Sequence, residues 1–192
     1  MTEQERYTLA TDISLAALTG DGVFNFGEIT TTPILSYLTD TPNAWLIDLM
    51  HCFVKGDVDT FVQVTEASQV AIQAQPALVS RAHVVKEKIT LLALVNMIFE
   101  RPSAERTLTF EDIANRTKVI KSHVELLLMR ALSLGLIQGT MDQVDETVTV
   151  SWVMPRVLDL MQLKVLGARF GEWAVKVGTT KEYLVEHTPT FA

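Results

Sequence analysis

Four histidines, His51, His83, His123 and His187, and a lone cysteine, Cys52, are the side chains in this sequence best suited to metal binding or nucleophilic attack. The histidines fall on separate stretches, whereas a metal site needs three or four convergent donors, so each reads as a surface or boundary residue. His51 beside Cys52 has the composition of a base and a nucleophile, but neighbours on a helix do not face one another. No glycine-rich phosphate cradle, H-E-x-x-H or C-x-x-C spacing is present. The paired acids Glu111 and Asp112 have a complete account as first-turn helix residues. The expectation is no catalytic residue, no cofactor and no metal: a protein that is not an enzyme.

What remains is a chain that binds. Of its 192 residues 48% are hydrophobic, enough for one sizeable core or two smaller ones joined by a helix. A net charge of -7 repels a phosphate backbone. A single cysteine cannot form an internal disulfide and suits a reducing compartment, so cytoplasm or nucleus is expected. No secretory signal can be read in Met1 to Arg6, and the longest apolar run, Leu91 to Phe99, falls short of the ~20 residues of a membrane span.

The elements that position these residues are mostly helical in the first hundred residues. Thr32-Pro33 and Thr41-Pro42 read as helix starts, with the threonine as cap and the proline in the first helical position. Trp45, Leu49 and Phe53 then share a face, Gly56 supplies a left-handed stop, and a second helix from Val58 to about Ala67 turns Phe61 and Val64 inward. Such hairpins are the units of helical solenoids, although no repeat consensus is visible. One helix is predicted from Ala77 to Glu100, linking two halves of the chain.

In the second half the spacing of signals changes. Thr109 with Asp112, and Ser122 with Glu125, read as capping boxes, with Leu108 and Ile113 as a hydrophobic staple. Val124, Leu127, Leu128, Ala131 and Leu132 follow at helical spacing up to Gly135. Val148, Val150 and Trp152 then alternate with Thr147, Thr149 and Ser151, a half-buried strand that pairs with Leu136 to Thr140 across an acidic tip. Pro155 opens a final helix carrying Val157, Leu158, Met161, Leu166, Phe170 and Trp173, ahead of a polar tail with one more turn near Tyr183. The fold class expected is mainly α: a helical-hairpin, solenoid-like bundle over 1–100, a winged helix with a small β-hairpin over 101–155, and a C-terminal helix and tail over 156–192.

Winged helices often read DNA, which makes a nucleic-acid-binding domain the alternative. Base reading needs Arg, Lys, Asn or Gln along the recognition helix, but Leu126 to Met129 is apolar. From Ala131 to Pro155 there is no Lys or Arg, and Asp142, Asp145 and Glu146 cluster at the tip. Two features favour protein partners instead. The strand Thr147, Val148, Thr149, Val150 and Ser151 is expected to offer a free edge that a partner's sheet can extend. The last helix is apolar on more than one side and is covered either by other subunits or by this chain's own core. Gly167 and Gly171, four apart, either admit a close helix or mark mere irregularity.

Helical hairpins running into a winged helix resemble the PCI-domain family of the proteasome, the COP9 signalosome and translation initiation factor. The resemblance is sharpest to a lid subunit of the proteasome regulatory particle, through three stretches in order: Gly22-Val23-Phe24-Asn25-Phe26-Gly27-Glu28, Leu108-Thr109-Phe110-Glu111-Asp112-Ile113-Ala114, and Trp152-Val153-Met154-Pro155-Arg156-Val157-Leu158-Asp159-Leu160. Leu184-Val185-Glu186-His187 fits as well. The resemblance implies a non-catalytic lid scaffold that assembles through its winged helix, with Thr147 to Ser151 at the contact, and sends Leu158 to Val177 into a shared helical bundle. The partners it implies are a PCI neighbour, the deubiquitinase heterodimer and the ubiquitin-receptor subunit, with no nucleic acid and no membrane. Family members carry a further N-terminal helical array, so the chain is expected to be truncated at Met1, leaving apolar surface near Leu9, Ile13 and Leu18 uncovered.

Overall fold

The computed structural model describes residues 2–39, 41–102, 106–157 and 160–187. The chain divides into a first compact unit ending at Arg156 and a second beginning at Val157.

The first unit opens with α1 (Glu3–Thr19), started by a capping box in which Thr2 accepts from the Glu5 N–H and the Glu5 carboxylate accepts from the Thr2 N–H. After α2 (Phe26–Thr30) and a 3-10 helix, Pro33–Leu38, come α3 (Trp45–Lys55) and α4 (Val58–Ala67). Trp45, Leu49 and Phe53 are buried together, as their spacing requires. Gly56 closes α3 at φ 60°, and a Cβ there would stand 2.3 Å from Asn96 Nδ2 and 2.8 Å from the Leu92 carbonyl, so only glycine fits on both counts. Asp57 then caps α4 by accepting from the Asp59 and Thr60 N–H groups, and the bond from the Thr60 hydroxyl, aided by those N–H groups, holds its carboxyl below the usual range.

The proline starts turn out differently. Thr32 and Thr41 donate their hydroxyls back to Ile29 and Leu38 carbonyls instead of accepting from a new helix, so Pro33 opens only a 3-10 helix and α3 begins at Trp45. The helix predicted from Ala77 to Glu100 is interrupted: α5 (Gln69–Gln73) and α6 (Pro76–Ser80) precede α7 (Ala82–Glu100), with Arg81 at φ -112°, ψ 22° between α6 and α7. Arg81 reaches across to bond the Thr19 carbonyl and Asp21 instead.

Helix α7 serves two cores from two faces. Val85, Ile89 and Leu92 join a cluster with α1 to α6, while Leu91, Leu94, Val95 and Ile98 join one with the elements that follow. Those elements are β1 (Thr107–Thr109), α8 (Phe110–Thr117), a 3-10 turn Lys121–His123, α9 (Val124–Ser133), β2 (Ile137–Asp142) and β3 (Thr147–Val153). Thr109 caps α8 by accepting from the Asp112 N–H, with Leu108 and Ile113 fully buried, but the Asp112 carboxylate faces Arg101 and leaves the box half made. Ser122 lies inside the 3-10 turn, and α9 starts without a side-chain cap. Gly135 follows α9 at φ 68°, the left-handed stop its position predicts.

The sheet has three antiparallel strands in the order β1-β3-β2. Between Gln138 and Gly139 the register slips, so that Gly139 faces Val150 while Gln138 faces Trp152, and Ser151 bulges out to donate to the Gln138 carbonyl. Past the bulge the faces exchange: Trp152, expected inside, is 39% exposed, and Val153 is buried.

The second unit holds α10 (Leu160–His187). It runs straight through the segment read as a tail near Tyr183, and Pro155 to Val157 lies ahead of it in irregular chain. No helix among the described residues is long and apolar enough to cross a membrane.

Candidate protein-interaction surfaces

The expected free edge, Thr147 to Ser151, is instead the centre of the sheet. Thr107, Leu108 and Thr109 pair with Thr149, Val148 and Thr147 on one side, and β2 pairs on the other. Val148 and Val150 are buried in the core, and Thr147, Thr149 and Ser151 face outward from a strand whose backbone groups are already paired. β1 escapes periodicity because three residues, the last also capping α8, leave no alternation to detect. Among the described residues, the edge strands are β1 and β2, and on the longer, β2, Gln138, Thr140 and Asp142 are exposed.

The other surface is α10. Every side chain described on it is exposed apart from Gly178, including Leu166, Phe170 and Trp173. Leu163, Leu166, Phe170, Trp173, Val177, Thr180 and Leu184 recur at alternating spacings of three and four, the seam of a helix that packs lengthwise on other helices, with Thr180 its polar position. The side chain of Met161 and all of Leu158 lie outside the described residues. Among the described residues, nothing beyond the flanking residues and the helix's own backbone lies within 4 Å of a Cβ built on Gly167 or Gly171. The seam's continuation to Leu184 is legible in the sequence once the spacing is followed past Val177.

At the opposite end of the chain, Leu18 is fully buried against this chain's own core, and Leu9 and Ile13 are half-buried, so the uncovered surface expected there is smaller than predicted.

Where the first unit ends, Arg156 is tied down. Its guanidinium donates to the Val54 carbonyl, an orphan acceptor at the end of α3 that also takes a bond from Asn96 at 3.3 Å, and it lies over the Phe99 ring at 5.9 Å. The residue just before the second unit is thereby fixed to both a helix end and an aromatic face.

The winged helix is poorly equipped for phosphate. Every Lys or Arg between Phe110 and Pro155 pairs with a carboxylate of the chain: Arg116 with Glu100, Lys118 with Asp59, Lys121 with Glu146, and Arg130 with Glu87. A nucleic acid would have to displace those carboxylates, and Leu126 and Met129 stand exposed on α9 where base-reading groups would be needed. The sites of nucleophilic chemistry are equally occupied by structure. Cys52 is buried, and burial, followed by Asp57 and Asp48, pushes its thiol up from the ordinary value, away from thiolate. His51 beside it is exposed, and the described residues contain no group of three metal-binding side chains.

This architecture agrees with the sequences the chain matches. The family description PSD13 N-terminal repeats matches residues 1–50, and PCI domain matches residues 66–152. The 26S proteasome non-ATPase regulatory subunit 13 homolog B of Arabidopsis thaliana is 41% identical over 98% of this chain and 49% of its own length. Subunit 13 of Dictyostelium discoideum is 34% identical over 98% of the chain and 49% of its own length, and the 26S proteasome regulatory subunit RPN9 of Saccharomyces cerevisiae 39% over 90% and 43%. The chain thus spans about half the length of the curated relatives it matches. With a helical-repeat half and a winged helix built on one shared helix, the chain matches the PCI domain over 66–152 and is similar, along about half of their length, to proteasome non-ATPase regulatory subunits 13.

Proposed function

We propose that the chain is a non-catalytic scaffold of the proteasome regulatory-particle lid. It has a helical-repeat part over 1–100, a winged helix over 101–155 and a terminal helix over 156–192. The observation that carries the reading is the exposed seam of α10 from Leu163 to Leu184. Apolar side chains repeating at three and four over six turns lower the free energy only when a second helix covers them. Packing into a bundle contributed by other subunits does that. The sheet contact sits on the unpaired edge of β2, residues Gln138 to Asp142, in place of the central strand.

The names of the three relatives given above, each a proteasome regulatory subunit, support assembly with other proteasome subunits. The specific neighbours proposed are another PCI subunit, the deubiquitinase heterodimer and the ubiquitin receptor, in cytoplasm and nucleus. The test is capture of lid subunits by the tagged chain. Wild type recovers them, and Leu166→Glu with Phe170→Glu does not, while both proteins keep the same helical circular dichroism. Equal recovery by the variant would remove α10 from the interface.

A further inference from the structure

Lys88 is a charged side chain placed where charge is costly. It sits on α7 with 2% of its surface exposed, between the Phe24 and Phe26 rings at 6.0 and 5.6 Å, and its ammonium donates to the Ala17 carbonyl at 2.8 Å near the end of α1. An ammonium has three N–H donors, and this is the one hydrogen bond it makes among the described residues. It forms no ion pair with a described carboxylate. A buried cation without an anion is the arrangement proteins ordinarily avoid.

Lys88 lines a cavity of about 280 Å³ whose wall also includes Asp21, Phe24, His83, Glu87 and Arg130. Both carboxylates in that wall are already engaged, Asp21 by Arg81 at 3.1 Å and Glu87 by Arg130 Nε at 2.6 Å. Three cations, Lys88, Arg81 and Arg130, against two carboxylates leave one positive charge. Arg130 keeps four further N–H donors beyond the one given to Glu87. The volume lies below the roughly 300–1,000 Å³ of sites for drug-sized ligands, so a nucleotide or a cofactor is too large. One singly charged group with two or more acceptor lone pairs satisfies both the charge and the spare donors.

The geometry points to a carboxylate-binding site at Lys88 and Arg130, sized for one acidic side chain or one small free carboxylate. It is independent of the scaffold reading and of α10. Burial holds the Lys88 ammonium down at about 8, so at neutral pH it is still mostly charged and gains from an anion that removes its isolation.

The test uses the whole chain and follows the titration of Lys88 by NMR of its ε-methylene group. The added probes are acetate, a glutamate capped at both ends, the matching capped glutamine, and inorganic phosphate. Acetate or capped glutamate should bind saturably and raise the Lys88 midpoint by about one pH unit, a tenfold preference for the ammonium form, while capped glutamine has no effect. Capped glutamate binding at least as tightly as acetate assigns the group to a polypeptide; acetate binding with capped glutamate excluded assigns it to a free carboxylate. Lys88→Met, followed through the chemical shifts of the cavity residues Phe24 and Leu134, should weaken binding at least tenfold. Glu87→Gln leaves Lys88 in place, frees Arg130 and removes a wall charge, and should tighten binding severalfold. Silence with every probe, phosphate bound in preference to both carboxylates, or weaker binding by Glu87→Gln would overturn the assignment.

Discussion

Helices α7 and α10 are the longest among the described residues, 19 and 28 residues, and both are apolar on more than one side. Their surroundings are opposite. Helix α7 buries Ile89 and Leu92 on one face and Leu91, Leu94 and Ile98 on another, so that two cores share one helix and even Asn96 and Lys88 are carried inside. Helix α10 holds Phe170 at 60% and Trp173 at 65% exposure, side chains that would stabilise a core by a few kcal/mol if covered. Apolar content therefore does not say where a helix is buried. It says only that cover is favourable, and the proposal made above is that for α10 another chain supplies it.

That contrast can be broken most directly in α7. Leu94→Ala removes a fully buried side chain and should cost about 3 kcal/mol in urea unfolding followed by circular dichroism. A loss under about 1 kcal/mol would mean that the second core does not depend on α7. Gly56→Ala tests how closely α3 and α7 approach: it forces a positive φ on alanine and drives a Cβ into Asn96 and Leu92, for about 2 kcal/mol on the same measurement.

The charge buried in α7 gives a smaller, pH-dependent effect. Lys88 titrates at about 8 in the folded chain against an ordinary 10.5, so the unfolded chain holds more protons between those values. Stability should therefore rise with pH across that window, by on the order of 1 kcal/mol per pH unit, and be flat below it. Lys88→Met, compared with wild type in a buffer without carboxylates, should abolish the rise; parallel profiles would show that the ammonium is solvated. Smallest of all is the expected change in α10: Phe170→Ala with Trp173→Ala should change the unfolding free energy of the isolated chain by less than about 0.5 kcal/mol. A loss as large as that of Leu94→Ala would show that α10 packs on its own chain.

Much of this was readable beforehand where the signal is local. The Gly56 stop with the Asp57 restart, the Thr109 cap with Leu108 and Ile113 behind it, the Gly135 stop and the face shared by Trp45, Leu49 and Phe53 each depend on residues within a few positions of one another. The interaction surface was read less well. Periodicity alone puts the strand Thr147 to Ser151 at an edge because its second partner, Thr107 to Thr109, is too short to alternate and lies some forty residues away. Alternation turns Trp152 inward because it does not register the bulge, which lies opposite Gly139, where a Cβ would stand 2.2 Å from the Thr149 carbonyl oxygen.

The sequence by itself determined the element types, most helix stops, the absence of free cations in the wing and the apolar excess of the last helix, since each follows from spacing or composition along one stretch. The tertiary structure alone decided which strand is central, which carbonyl Arg156 and Asn96 share, and that Lys88 is enclosed without an anion. Those are meetings between residues 38 to 102 positions apart in the first two cases and 71 in the last, distances over which no local pattern carries information.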